Sequence, residues 1–352
     1  MISSLIGFQL IRLILLGVFA SFLTVLLTPL WSNILYKYKL GKHIREDKNA
    51  PVFMKLHRKK EGTPTMGGVL MWGAVLVITF LFFFCHKWFD GFWGKINFLS
   101  RSQTWLPLAA MVGAGIVGLI DDLLGIFRIG PKGGGLRIRD KVVIYTLIAI
   151  VGAWWFWIKL GFDSVYVPFV GELSLGILYP FFAVFILVAS AFSMNETDGL
   201  DGLAAGVSLI AFSALLIIAF INGKYDLAAF LATLLGTIVA FLWFNVYPAR
   251  FFMGDTGSMA LGITLGVVAL LTDTALYLPF FAFILVIESL SVIIQLISKK
   301  WRKKKIFLST PVHHHFEALG WPETKVTMRF WILAGVAAAL GLAIYFLDFF
   351  MV

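Results

Sequence analysis

The chain alternates long apolar runs with short polar stretches. Runs bounded by charges or turn residues fall at about 5–30, 66–86, 104–120, 141–160, 176–194, 199–221, 226–247, 257–272, 275–298 and 328–350. Most are close to the roughly 20 apolar residues a helix needs to cross a hydrocarbon core. The pattern therefore predicts an all-α integral membrane protein, a polytopic bundle of about ten transmembrane helices forming one domain over residues 1–352. The first run has no Lys or Arg before Arg12, is too long for a signal-peptide h-region and lacks a clear small-residue cleavage pattern, so it is read as a span. One stretch has a different period. Residues 163–175, DSVYVPFVGELSL, alternate apolar and polar around Gly171 and predict a small external β-hairpin.

Composition sharpens this picture. With 60% of 352 residues apolar and 14% charged, little is left for a soluble domain. The single cysteine, Cys85, excludes an internal disulfide, and without a Cys pair a zinc ribbon or iron–sulfur site is excluded too. The net charge of +10 is meaningful only by location. The loops after odd-numbered spans hold 23 Lys and Arg residues and the alternate loops 5. Short cytoplasmic loops collect positive charge, so the former set faces the cytoplasm and both termini face outward. Most of the charge is thus topology and attraction to anionic lipid, with a minority available for ligand phosphates and no nucleic-acid partner implied.

Polar chemistry gathers at span ends, all on the predicted cytoplasmic side. Asp121-Asp122 closes the third span, where paired carboxylates at a negative helix end cost about 0.3–1 kcal/mol each unless a cation answers them. The loop NETDGLDG, from Asn195 to Gly202, carries more acidic and polar side chains than a cap needs, although Asp198 could N-cap the sixth span. FFMGDTGS, with Asp255 and Ser258, opens the eighth span, where helix amides attract phosphate and either side chain could cap. The triplet His313-His314-His315 lies between spans nine and ten, able to bind metal, donate to phosphate or relay a proton. KEGTPTMGG makes a rigid turn into span two from which Lys60 and Thr65 can reach a ligand. Glu288, mid-span, must face the protein interior and is read as structural.

Taken in order, TPTMGG, the Asp121-Asp122 pair, NETDGLDGL, FMGDTGS and PVHHHFEALGWPETKVTMRFW resemble the phospho-N-acetylmuramoyl-pentapeptide transferase family of polyprenyl-phosphate N-acetylhexosamine-1-phosphate transferases, from about residue 20 to the C-terminus. The resemblance implies a magnesium-dependent enzyme, commonly a homodimer, at the cytoplasmic face of a bacterial inner membrane. It would move phospho-MurNAc-pentapeptide from UDP-MurNAc-pentapeptide to undecaprenyl phosphate, giving UMP and lipid I, the first membrane step of peptidoglycan synthesis. By motif position, Asp121, Asp122 and Asp255 match the family's essential acids, with Asp255 foremost as metal ligand, and His313, His314 and His315 its essential triplet. Lys60, Asn195, Asp198, Gly199, Leu200, Asp201 and Phe252 match its uridine pocket, and Lys141 a family lysine. The chain departs from the family at Glu196, commonly Leu, and in a longer IGPKGGGLRIRDK loop with Gly134 in place of a common Lys, so no role is carried to Lys132.

The chemistry agrees with the resemblance. A soluble anionic donor and a lipid phosphate can meet only at a membrane surface, where the clusters are. Magnesium takes a carboxylate or two plus substrate phosphates, which Asp255 with Asp122 or Asp121 can supply. The acceptor phosphate is largely ionised at neutral pH, so direct attack is expected over a covalent aspartyl-phosphate. A related UDP-GlcNAc transferase is the nearest rival. A secondary transporter would place its carboxylates near the midplane, where only Glu288 is expected.

Overall fold

The computed structural model describes residues 2–41, 60, 62–89, 91–100, 103–130 and 134–351. Lys132 and most of the first basic loop lie outside them. Helices α1 (Ile2–Lys37), α2 (Val69–Trp88), short α3 (Phe92–Ile96), α4 (Trp105–Ile126) and α5 (Ile138–Trp154, continued by a π-turn to Lys159) lead to the hairpin. Then follow α6 (Tyr179–Thr197), α7 (Leu203–Ile221), α8 (Tyr225–Asn245), α9 (Asp255–Leu271), one-turn α10 (Leu278–Phe281), α11 (Phe283–Trp301), short α12 (Val312–Ala318) and α13 (Glu323–Met351). The hairpin pairs β1 (Ser164–Val167) with β2 (Gly171–Ser174), antiparallel with Val167 opposite Gly171, inside the stretch whose alternation predicts it.

Among the described residues, eight helices are long and apolar enough to cross a membrane. Two of the ten expected spans depart from simple crossings. The run 257–272 becomes α9, only 17 residues long and buried at every position from Thr256 to Leu271. It is a central post, packed most extensively against α4 and α6, and never meets lipid. The run 275–298 is not one helix. Ala282, at φ −113° and ψ 33°, leaves the helical region, and the α10–α11 pair bends by 91° there. The break turns α11 aside, six residues before Glu288.

Small residues bring the central helices together. A Cβ at Gly118 of α4 would lie 2.2 Å from the carbonyl oxygen of Asp255, so only glycine lets α4 cross the start of α9 at this distance. Thr256 Oγ1 donates to the Gly115 carbonyl at 3.0 Å and accepts from Trp72 Nε1 of α2 at 3.2 Å. The TPTMGG turn is stitched to FFMG through backbone bonds, Gly67 N–H to Phe252 O and Gly68 N–H to Met253 O, each at 2.9 Å, and Phe252 N–H to Pro64 O at 2.8 Å. Two motifs far apart in sequence thereby become one platform.

Candidate active site

The connectivity puts one set of helix ends on a single face of the bundle. The C-terminal ends of α4, α6 and α8 lie there with the N-terminal ends of α2, α5, α7, α9 and α13, and the polar motifs are all at these ends. Asp122 serves α9. Its Oδ1 accepts from the Asp255 N–H at 3.2 Å and its Oδ2 from the Thr256 N–H at 3.1 Å, while the Thr65 hydroxyl lies 3.5 Å away. The cap of α9 is thus supplied by another helix, not by Asp255 or Ser258. A carboxylate over a helix N-terminus satisfies orphan amides and complements the dipole. Gly254 makes room: its φ is +74°, and a Cβ there would sit 2.4 Å from Asp122 Oδ2.

Asp121 turns the other way. Its Oδ1 accepts from the Leu136 N–H at 2.5 Å, and its Oδ2 lies 2.9 Å from Lys141 Nζ. Lys141, near the start of α5, also pairs with Asp255 Oδ2. The other Asp255 oxygen accepts from Asn195 Nδ2 at 2.5 Å, and the same amide reaches Ser258 Oγ at 3.1 Å. Four helices therefore deliver Asp121, Lys141, Asn195 and Asp255 to one point. The penalty expected for adjacent aspartates at a negative helix end is met twice, by the Lys141 ammonium and by the positive end of α9.

A second cluster surrounds Lys60. Its Nζ lies 2.6 Å from Asp201 Oδ1 and 2.5 Å from Glu323 Oε1, and 5.8 Å from the centroid of the half-buried Phe252 ring. Asp201 is held by the Ala249 N–H at 3.0 Å, and its own N–H donates to Glu323 at 2.7 Å. Asp198 ends α6 rather than capping α7, whose N-cap is Gly202. Leu200 is buried in the core beside them.

The histidines separate into three environments. His313 is fully buried, with Nδ1 3.1 Å from Glu288 Oε2 and Nε2 facing Gly199, where a Cβ would come within 2.2 Å of it. Among the described residues His313 Nε2 and Glu288 Oε1 have no hydrogen-bond partner. His314 Nδ1 is 2.7 Å from Glu317 Oε2. His315 Nδ1 accepts the Leu308 N–H at 3.1 Å, leaving its Nε2 to carry the proton. Burial alone would lower the His313 pKa, but the carboxylates of Glu288, Glu317 and Glu196 outweigh it and hold the imidazole above its ordinary value.

Sequence reasoning missed several partners. Glu323 looks like an ordinary acidic residue opening a helix, and nothing local signals that it reaches Lys60. Glu196 feels the charges of both His313 and Lys141, linking the histidine to the Lys141 cluster, although in sequence it is only a departure from the family pattern. Glu288 does face the interior, but its partner there is His313, a contact made available by the bend in front of α11. Among the described residues no three His, Cys, Asp or Glu side chains form a metal cage. Two carboxylates, Asp121 and Asp255, converge on one cation. That suits magnesium completed by substrate phosphates rather than an all-protein site.

Comparison with known proteins agrees with this geometry. Residues 104–273 match the family model Glycosyl transferase family 4, and residues 60–70 match Phospho-N-acetylmuramoyl-pentapeptide-transferase signature 1. The phospho-N-acetylmuramoyl-pentapeptide-transferase of Geobacillus sp. strain WCH70 is 38% identical over 337 residues, covering 95% of this chain and 98% of the relative. That of Borrelia hermsii strain HS1 / DAH is 38% identical over 347 residues, covering 93% of each. This chain, a polytopic membrane protein, belongs to the phospho-N-acetylmuramoyl-pentapeptide-transferase family of enzymes.

Proposed function

We propose that the protein transfers phospho-MurNAc-pentapeptide from UDP-MurNAc-pentapeptide to undecaprenyl phosphate, releasing UMP and forming lipid I. The observation that carries this reading is the meeting of Asp121, Lys141, Asn195 and Asp255 at one end of the bundle. In this reading that end lies at the cytoplasmic face of a bacterial inner membrane with both termini outside, an orientation that the distribution of Lys and Arg supports. A homodimer is the expected assembly, on family grounds.

In this reading Lys60, Asp201 and Phe252 receive the uridine, Phe252 by its ring and the other two by charge and hydrogen bonds, with Asn195, Asp198 and Gly199 bordering the path toward the phosphates. Lys141 meets the diphosphate. Asp255 with Asp121 would hold magnesium, which when bound neutralises charge on the phosphates, while Asp122 fixes the start of α9 that carries Asp255. An oxygen of the lipid phosphate attacks the sugar-proximal phosphorus, a new P–O bond forms, the bond to UMP breaks and UMP leaves with the electron pair. The attacking oxygen is already ionised near neutral pH, so no strong base is required. Preorganised charge does most of the work in such transfers. His313 faces Gly199 beside the site, and His314 and His315 follow it on α12.

The test is UMP release by purified protein given undecaprenyl phosphate and magnesium, with UDP-MurNAc-pentapeptide or UDP-GlcNAc as donor. Release with the pentapeptide donor alone, abolished by EDTA and by Asp255→Asn, is the expected result. Release with UDP-GlcNAc instead would reassign the substrate, and a phospho-enzyme isolated from donor alone would overturn direct attack.

A further inference from the structure

Tyr145 lies one helical turn beyond Lys141 on α5. Residues four apart share a helix face, and helical side chains lean back toward the N-terminus, so the phenol rises from beneath the lysine toward the head of the site. The residue is 1% exposed, and among the described residues its hydroxyl has no hydrogen-bond partner. The charges acting on that hydroxyl are, in order, those of Asp255, Lys141, Asp121 and Glu196, which are the groups of the phosphate-facing cluster.

Packing does not account for the oxygen, because Phe would fill the same space without an orphaned polar group. Buried hydroxyls without partners are rare, and each calls for a completing water, ion or ligand or for a role in function. The oxygens of Asp255 and Asp121 are already engaged. Asp255 accepts from Asn195 and pairs with Lys141, and Asp121 accepts from the Leu136 amide and pairs with Lys141. What is missing is an acceptor, and the acceptor this environment is built to receive is an anionic oxygen brought in beside the Lys141 ammonium.

We propose that the Tyr145 hydroxyl is a phosphoryl-oxygen contact, donating to the diphosphate of the bound nucleotide from below Lys141. Successive turns of one helix then present a charge and a hydrogen bond to the same group. The identity of the ligand rests on the transferase reading, whereas the contact itself can be tested by binding alone.

The experiment compares wild type with Tyr145→Phe in the full-length detergent-purified protein, measuring the thermal midpoint, UMP release and equilibrium binding of UDP and of uridine with magnesium present. The expected result is an unchanged or slightly raised midpoint, UDP binding weakened about tenfold, as for a lost hydrogen bond to a charged group, and uridine binding unaffected. A midpoint lowered by several degrees would show that the hydroxyl has a structural partner and would overturn the proposal. So would equal binding of UDP by both proteins, equal weakening for UDP and uridine, or no binding of UDP by wild type. If wild type binds UDP but releases no UMP with either sugar donor, the transferase reading fails while the binding ratio still decides the contact.

Discussion

The two ends of the helix bundle use similar residues for different ends. At the far end, away from the candidate site, Asp348 is buried on α13 and accepts from the Phe169 N–H at 3.0 Å and the Tyr277 hydroxyl at 2.6 Å, fastening the hairpin to the bundle. Asp273 accepts from the Tyr166 N–H at 3.3 Å, and Arg12 joins Asp226 at 2.9 Å and the Asn97 carbonyl at 2.8 Å, tying α1 to the start of α8. Burial pushes Asp273 up and Lys224 down from their ordinary pKa values, so both are drawn toward neutrality. At the site end, by contrast, Asp121 and Asp255 share a lysine, and so do Asp201 and Glu323. A backbone amide or a tyrosine from a neighbouring element is a permanent partner, whereas a long flexible ammonium can be taken over by a ligand phosphate. Asp348 and Asp273 lock the fold at one end, and at the other Asp121 with Asp255 and Asp201 with Glu323 each hold a lysine in waiting.

The largest effect that can break this division is on turnover. Lys141→Met keeps the length of the side chain and removes the charge shared by Asp121 and Asp255, and UMP release should fall about 10²–10³-fold, the loss seen when one preorganised charge-stabilising group is removed. The matching far-end change is Asp348→Ala. It strands the Phe169 N–H and the Tyr277 hydroxyl, which should cost about 2–3 kcal/mol of stability, read as a lower thermal midpoint, with turnover below the melt within about twofold of wild type. If Asp348→Ala lowers turnover as severely as Lys141→Met at a temperature where the protein is folded, the two ends are coupled and the division is wrong.

The same contrast explains what the sequence could and could not reveal. Hydrophobic runs mark where helices are, so nearly all of the bundle is legible, and Gly171 with its alternating flanks marks the hairpin. The two exceptions are tertiary. The run 257–272 is apolar because it is the core of the protein, and the run 275–298 is apolar on both sides of a break that composition does not record. Within the site, Asp121, Asp255, Asn195 and Lys60 stand out because acids, amides and cations at span ends need a reason. Glu323 and Tyr145 do not stand out: one resembles a helix-start acid and the other a core aromatic, and only the folded chain puts Glu323 beside Lys60 and buries the Tyr145 hydroxyl under the site. Asp122 is legible as a site residue, yet in the fold it spans to the α9 amides, a partnership 133 residues away that no local pattern encodes.

A smaller effect sharpens the description of the site end. Glu323→Gln preserves shape but removes one of the two carboxylates that fix Lys60, while Asp201 stays in place. In the proposed reading these groups bind uridine equally well before and during reaction, so the change should raise the KM for the UDP-linked donor about tenfold and leave kcat nearly unaltered. Uridine binding should weaken in parallel. A fall in kcat at constant KM would instead place Glu323 with the Lys141 cluster, and the site end would be one network rather than two.

The smallest effect separates the ends by pH. The groups facing His313 are Glu288, Glu317, Glu196 and the His314 ring, and the three carboxylates hold its pKa above the ordinary 6.5 despite burial. A cation whose folded pKa is raised contributes stability that is complete below the unfolded value and is lost as pH climbs through the folded value. The thermal midpoint should therefore decline as pH rises from about 6.5, and both His313→Gln and Glu288→Gln should flatten that decline. At the far end, burial raises Asp273 from an ordinary 3.8. An acid with a raised folded pKa binds its proton more tightly in the folded state, so its contribution also declines with rising pH, but in an acidic window that opens near 3.8. Asp273→Asn should flatten only the acidic window. If either variant flattens both, the ends titrate as one unit, and buried acids on the two faces of the bundle cannot be assigned separate roles.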